Sequence, residues 1–316
     1  MSRLVTGFTA LPAPPRRAVV TIGMFDGMHV AHQRLIRATQ QLARRSKGTS
    51  VVITFEPDPQ AVLDPRRPHP TLMPLAARLE RLRAMGVDWI WVISFTPSFA
   101  RLSAPQFIER VLVRRLHATA LIVGEGFVFG RNRRGTMDVL RAIGAPHGLR
   151  VVAVPQIRRG GAPISSSRIR DLLAKGRLAA ARRLLGRTPE LYGQVVRGSG
   201  RGRRLGFPTA NLRLISQALP PQGVYAVVVR GMDRPGPSRR GVMNIGVRPT
   251  FGSGPLVAEV HLLGFQGTLR GRHVAVSLLA RLRGERCFPS SQALIRQIGL
   301  DIRRANRLFS RSSTPR

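Results

Sequence analysis

The chain has 316 residues, an apolar fraction of 43% and a formal net charge of +37 from 52 basic and 15 acidic side chains. That length exceeds one average domain and that apolar content is ample for two buried cores, which excludes a disordered chain. The single cysteine, Cys287, excludes an intramolecular disulfide framework and a cysteine-built zinc cluster, and it suits a reducing cytoplasm.

The first residues, MSRLVTGFTALPAPPRR, lack the apolar core of a secretory signal. The uncharged run Trp89–Ala100 is too short and too polar to span a bilayer, so no membrane association is expected. Of the 52 basic residues only Lys47 and Lys175 are lysines, and the arginines are spread along the chain without a basic block. Coding bias or a preference for polyphosphate substrates accounts for that pattern. No specific nucleic-acid partner is expected, although weak adhesion to polyanions at low salt is.

From Arg17 to about Leu185, short apolar runs alternate with longer amphipathic segments. Strands are predicted at Ala18–Met24, Ser50–Phe55, Trp89–Phe95, Ala120–Gly124 and Arg150–Val154, with helices at His32–Ser46, Leu75–Met85, Ala104–Leu116 and Asp138–His147. This alternation implies βαβ units and a parallel sheet covered on both faces. After Gly186 glycine and proline become frequent, and the runs Gly193–Val196, Gly223–Val229, Gly241–Ile245, Leu256–Leu263 and His273–Leu279 predict an antiparallel barrel or sandwich. Helical spacing returns over Ser290–Leu308, through Leu294, Ile298, Ile302 and Leu308. The change of period draws a boundary near Gly186–Glu190, giving domains at 1–186 and 187–316. The stretches Leu11–Pro15 and Ser310–Arg316 read as frayed ends.

Two stretches carry chemistry in the first domain. VVTIGMFDGMHVAHQRLI runs from a buried strand through a glycine-containing turn into a helix, and a helix start offers free N–H groups to a phosphate. Gly23 and Gly27 permit close backbone approach, and His29 and His32, three apart, can face one bound group. Two imidazoles beside a triphosphate would hydrogen-bond the charge that develops in nucleotidyl transfer. A metal pair or ordinary helix-start histidines are the plainer readings, the first weakened by the scarcity of further ligands. In ISSSRIRDLLAKGRL, hydroxyls at a helix start followed by Arg170 offer a second phosphate contact, or a simple serine cap.

In the second domain, GSGRGRRLGFPTANL suits a flexible loop over phosphates, with Thr209 and Asn211 on one face of the strand that follows. A hydroxyl and an amide oxygen can both ligate Mg²⁺, which takes its other ligands from phosphates and water. Glu259, in PLVAEVHLLGF, faces opposite to Ala258 and Val260. It is either a general base for a hydroxyl attacking a γ-phosphate or a solvent-facing strand glutamate.

These stretches, together with VVITFEPDP, LSAPQFIERVL, IVGEGFVFG, LLGRTPELYGQVVRG, PQGVYAVVV, MNIGVRPTFG and LRGERCF, occur in one collinear order over nearly the whole chain. In that order the chain resembles the bifunctional bacterial riboflavin kinase/FMN adenylyltransferase (FAD synthetase) family. The resemblance implies a Rossmann-like α/β nucleotidyltransferase domain, then an antiparallel β-barrel kinase domain with a C-terminal helix. It implies riboflavin, FMN, FAD and ATP as ligands and Mg²⁺ as cofactor. Thr209 and Asn211 match the PTAN motif that holds Mg²⁺ and ATP phosphates, and Glu259 matches the carboxylate that activates the ribityl hydroxyl. Gly198, Gly202 and Arg204 fall in the phosphate loop. His29 and His32 match HxGH with Ala31 in place of glycine, and Ser166, Ser167 and Arg170 match SSTxxR with serine for threonine. Gly23 and Phe25 belong to the same nucleotide-binding turn.

Some positions depart from the pattern. Asp58 stands for the histidine of EPHP, Gly126 for the polar residue before the phenylalanine of GxDFxFG, and Gly264 and Arg270 for an acidic residue and a tyrosine. The expectation is phosphorylation of riboflavin followed by adenylylation of FMN. A kinase with a degenerate adenylyltransferase domain is the first competing reading. A basic nucleic-acid-binding protein on an enzyme scaffold is the second, and the intact PTAN segment and Glu259 argue against it.

Overall fold

The computed structural model of the chain describes residues 2–8, 13–198, 200–233, 236–247 and 256–311. The chain divides into two compact units, Met1–His69 with Leu75–Ser166, and Pro70–Pro74 with Ser167–Arg316.

The first unit is built on β1 (Arg3–Thr6), β2 (Ala18–Ile22), β3 (Thr49–Glu56), β4 (Trp89–Ser94), β5 (Ala120–Gly124) and β6 (Arg150–Val154), a fully parallel sheet in the order β1-β4-β3-β2-β5-β6. Around it run α1 (Val30–Arg45), α2 (Pro59–Leu63), α3 (Leu75–Ala84), α4 (Pro97–Ala100), α5 (Ala104–Phe107) and α6 (Met137–Gly144). A small hairpin, β7 (Arg158–Arg159) with β8 (Ala162–Pro163), follows. Period-2 alternation sends Val20, Ile53, Trp91 and Leu121 into one core and Val19, Ala120 and Ile122 into another, where Leu35, Ala38 and Leu42 of α1 pack. β2 is buried along its whole length, as its largely apolar sequence, interrupted only by Thr21, leads one to expect.

The chain leaves β2 toward β3 on one side, and β5 returns on the other. The topological switch therefore falls between β2 and β5, where open α/β sheets bind ligands beyond the strands' carboxyl ends.

The second unit holds α7 (Ser166–Ala174) from Ser167 onward, α8 (Leu178–Leu185) and a closed antiparallel barrel. The barrel strands are β9 (Glu190–Val196), β10 (Thr209–Leu214), β11 (Gly223–Gly231), β12 (Arg239–Val247), β13 (Leu256–Leu262) and β14 (His273–Arg283). Their order around the barrel is β10-β13-β12-β11-β14-β9, and a short α9 (Arg201–Arg204) interrupts the link from β9 to β10. Closure decides between the barrel and sandwich expectations. The last helix, α10 (Ser291–Arg311), lays Ala305 and Phe309 on Val224, Ala226 and Val242 of the barrel's outer face. Arg283 at the end of β14 donates to Asp301 of α10 (Nε to Oδ2, 2.9 Å), and Gln297 donates to its other oxygen (2.9 Å).

The observed elements depart from the sequence expectation in several places, among them β1, the Ala104–Leu116 helix and the glycine-arginine loop, while α2, α4, the β7–β8 hairpin and α8 were not expected at all. β1 pairs in parallel with β4, an edge strand too short to show a period. The helix expected over Ala104–Leu116 widens into a π turn at Ile108–Val113, closed by Arg114 N–H to the Glu109 carbonyl, which carries Ile108, Val111 and Leu112 together into the core. The glycine-arginine loop contains the helical turn of α9. Parts of the Leu11–Pro15, MNIGVRPTFG and Ser310–Arg316 readings lie outside the described residues.

Candidate functional sites

At the carboxyl end of β2 the chain makes a tight turn before α1. Gly23 N–H donates to the Ile53 carbonyl at 3.1 Å, Phe25 and Met28 take left-handed φ values of 51° and 41°, and Gly27 lies at φ 78°. Side chains clamp alternate carbonyls of this turn. Thr54 Oγ1 donates to Met24 O at 3.2 Å, Ser166 Oγ to Asp26 O at 2.9 Å, and Gln33 Nε2 to Met28 O at 2.9 Å. The result is a rigid loop on the ligand side of the switch point.

His29 caps α1. It is extended, 4% exposed, and its Nδ1 accepts from the His32 N–H at 3.3 Å. This contact satisfies one of the free N–H groups at the start of the helix. The two rings stack at 3.5 Å, and the edge of Phe25 meets His32 at 5.2 Å. The structure thus brings Gly23, Phe25, His29, His32 and Ser166 to one loop. Ala31 sits inside the first turn of α1, where alanine is a good helix former.

The SSxxR segment opens α7. Ser166 belongs to the first unit and holds the turn, while Ser167 and Arg170 belong to the second and bond each other, Arg170 Nη2 to Ser167 Oγ at 3.1 Å. Asp58 is the N-cap of α2, accepting from Gln60 N–H at 2.8 Å. Above Gly126 the carboxamide of Gln156 fills the space, its Nε2 2.9 Å from where a Cβ would stand.

The second site lies on the outer face of the barrel. Leu212, Ala258, Val260, Met243 and Ile245 point inward and are buried. Thr209, Asn211, Glu259, His261 and Asn244 alternate with them and so face outward. Thr209 pairs directly with His261, and Asn211 with Glu259, which pairs on its other side with Asn244. Directly opposed residues share a face with Cβ atoms about 5 Å apart, so amide, carboxylate and amide form one row across three strands.

Gly198 and residues 200–208 fold over the start of this row. A Cβ on Gly198 would stand 2.0 Å from Asn211 Nδ2, and one on Gly202 would stand 2.5 Å from the Phe207 carbonyl and 2.8 Å from Thr209 Oγ1. Backbone contact requires glycine at 202, whereas at 198 a side chain would displace the Asn211 carboxamide. Arg204, at the end of α9, is exposed. His261 Nδ1 lies 2.8 Å from the Pro208 carbonyl, fastening the same segment. Further along the face, the carboxylate of Glu285 rests on the bare backbone of Gly246.

Among the described residues no group of three or more His, Cys, Asp or Glu side chains is arranged to hold a metal. The hydroxyl and amide oxygens of Thr209 and Asn211, beside the Glu259 carboxylate, fit a hard cation that takes most of its ligands from phosphate and water.

Both halves of the chain have counterparts among known proteins. A family model described as FAD synthetase matches residues 11–168, and one described as riboflavin kinase matches residues 185–309. The bifunctional riboflavin kinase/FMN adenylyltransferase of Escherichia coli K12 is 38% identical over 309 residues, 97% of this chain and 98% of its own. The chain belongs to the bifunctional riboflavin kinase/FMN adenylyltransferase family. Its Pseudomonas fluorescens member is also 38% identical, over 98% of this chain and 99% of its own. A solved structure of a macrolide-efflux protein from Streptococcus pneumoniae is 30% identical, with a TM-score of 0.83 over 96% of this chain and 99% of that one. Among the described residues no helix is long and apolar enough to cross a membrane.

Five residues of interest escaped the sequence reading, among them Thr54 under the turn and Gln156 above Gly126. Asn244 and His261 were signalled by polar positions in alternating strands, Asn244 between Met243 and Ile245 and His261 two residues after Glu259. Arg78 of α3 is a buried arginine that no local pattern marks.

Proposed function

We propose that this chain phosphorylates riboflavin to FMN in residues 187–316 and adenylylates FMN to FAD in residues 1–186, using ATP in both reactions. The observation that carries the kinase reading is the direct pairing of Asn211 with Glu259 across β10 and β13. Thr209 and Asn211 would hold Mg²⁺ at the ATP phosphates, where the ion would offset developing negative charge. Glu259 takes the proton of the ribityl hydroxyl as its oxygen bonds to the γ-phosphorus and ADP departs. Gly198 and Gly202 bring backbone close to the phosphates, and Arg204 adds charge.

For adenylylation, the FMN phosphate attacks the α-phosphorus of a second ATP and pyrophosphate leaves. Gly23 and Phe25 shape the turn, and His29 and His32 donate to the phosphates as charge develops. Ser166, Ser167 and Arg170 supply further phosphate contacts. The carboxamide of Gln156 above Gly126 supplies a polar group at that otherwise bare position. The single exposed Cys287 agrees with a reducing cytoplasm.

Purified protein given riboflavin, ATP and Mg²⁺ is expected to yield FMN and then FAD by chromatography. Given FMN in place of riboflavin it is expected to yield FAD directly. FMN without FAD in both arms would reduce the assignment to a kinase. A Glu259→Ala protein that makes FMN at the wild-type rate would remove the kinase assignment.

A further inference from the structure

Arg78 is 2% exposed and lies behind the turn that carries His29 and His32. It sits on α3, which packs against the Asp26–Met28 part of that turn. Its Nη1 donates to Thr54 Oγ1 at 2.9 Å and to the Phe55 carbonyl at 3.0 Å, and its Nη2 reaches Glu56 Oε2 at 3.5 Å. Thr54 is itself fully buried and passes its own hydroxyl proton to the Met24 carbonyl at 3.2 Å. An unbroken chain of donors thus runs from the guanidinium through one hydroxyl to the backbone of the turn.

Packing alone does not account for an arginine here. Glu56 is half exposed, so the ion pair is screened, and the Nε of Arg78 is buried without a hydrogen-bond partner among the described residues. Burial pushes the guanidinium's pKa down, opposed by the nearby carboxylates of Glu56, Asp26 and Asp58. A leucine or methionine at this point of α3 would meet the demand for apolar filling without that desolvation cost. What an apolar side chain cannot do is orient Thr54. With Arg78 donating to it, the Thr54 oxygen is an acceptor on one side, and its own proton is committed to Met24. That contact holds the residue before Phe25, where the turn enters its left-handed conformation.

We propose that Arg78 is a positioning residue for adenylyl transfer, setting the His29–His32 turn through Thr54 and the Met24 carbonyl. This rests on the reading of the first unit as an adenylyltransferase. The conformation it enforces matters most when charge develops at the phosphates, because a donor displaced by about 1 Å loses most of its transition-state contribution.

The test uses the full-length chain and both activities. Arg78→Met is expected to lower kcat for FAD formation from FMN by about 10- to 100-fold, with a smaller change in KM for ATP. Arg78→Lys, which keeps a cation and a donor, is expected to recover most of the loss. Thr54→Val keeps the shape, removes the relay hydroxyl, and serves where Arg78→Met does not fold. It is expected to give the same kcat defect, and the double variant no more than either alone. Riboflavin phosphorylation by the same samples should stay at the wild-type rate.

Wild-type kcat for FAD formation in Arg78→Met or Thr54→Val overturns the proposal. So does an Arg78→Lys protein as impaired as Arg78→Met, or a double variant whose losses multiply. A wild-type protein that makes no FAD from FMN overturns the adenylyltransferase reading and this inference with it.

Discussion

The Gly198→Ala substitution separates steric control of Asn211 from general loop freedom. The backbone of Gly198 is not in the left-handed region, so alanine brings no torsional strain of its own. The added methyl would stand 2.0 Å from Asn211 Nδ2 and 2.6 Å from its Cγ. Non-bonded heavy atoms rest at about 3.5 Å or more, so the carboxamide must retreat by about 1.5 Å or Gly198 must lift by as much. Either movement takes a proposed Mg²⁺ ligand off its row with Glu259, and misplacement of that size costs about 100-fold in rate. The folding cost is that of a modest overpacking, about 1–3 kcal/mol. Steady-state FMN formation from riboflavin should therefore fall by about two orders of magnitude while FAD formation from FMN is unchanged. Gly200→Ala is the matched control, because a Cβ there meets nothing within 4 Å, although its φ of 72° imposes strain. Equal losses in the two variants would refute displacement of Asn211 as the cause. A Gly198→Ala kinase within about 2-fold of wild type would refute the geometry itself.

Three further outcomes follow from the structure. Asp301→Ala leaves the largely buried Arg283 without its carboxylate and Gln297 without an acceptor, and should cost about 3–5 kcal/mol in urea unfolding of the second unit. The Tyr225 hydroxyl, buried in the barrel and donating to the Pro221 carbonyl, has its pKa pushed up by burial, with Arg281 opposing. Its stabilising contribution is complete below the unfolded value of about 10 and is lost as pH rises through the folded value, so Tyr225→Phe should flatten the loss of stability above about pH 10. Gln156→Ala should lower FAD formation from FMN by about 3- to 10-fold without affecting the kinase, and equal rates would remove the role given to that carboxamide.

The fold was legible where burial imposes a period. Ala18–Ile22 and Ala120–Gly124 are short, largely apolar runs that suit a sheet covered by helices, and buried strands fall there. Glu259 was legible for the same reason, since alternation with Ala258 and Val260 fixes its face. Period could not say which strand lies beside which. The partnership of Glu259 with both Asn211 and Asn244 depends on barrel order, which places β13 between β10 and β12, and that order is a property of closure.

Arg78 marks the deeper limit. It occupies one arginine position among many in an amphipathic helix, and its sequence neighbours Ala77 and Leu79 give no sign that its side chain turns inward. The signal lies in three separate segments that meet only after folding: the hydroxyl of Thr54, the carbonyl of Met24 and the guanidinium itself. In a chain with arginine spread throughout, composition hides such a residue. Side chains that touch a substrate carry their chemistry in residue type and spacing, so motifs expose them. Those that set a backbone from behind act through tertiary contacts, so a structure is needed to find them.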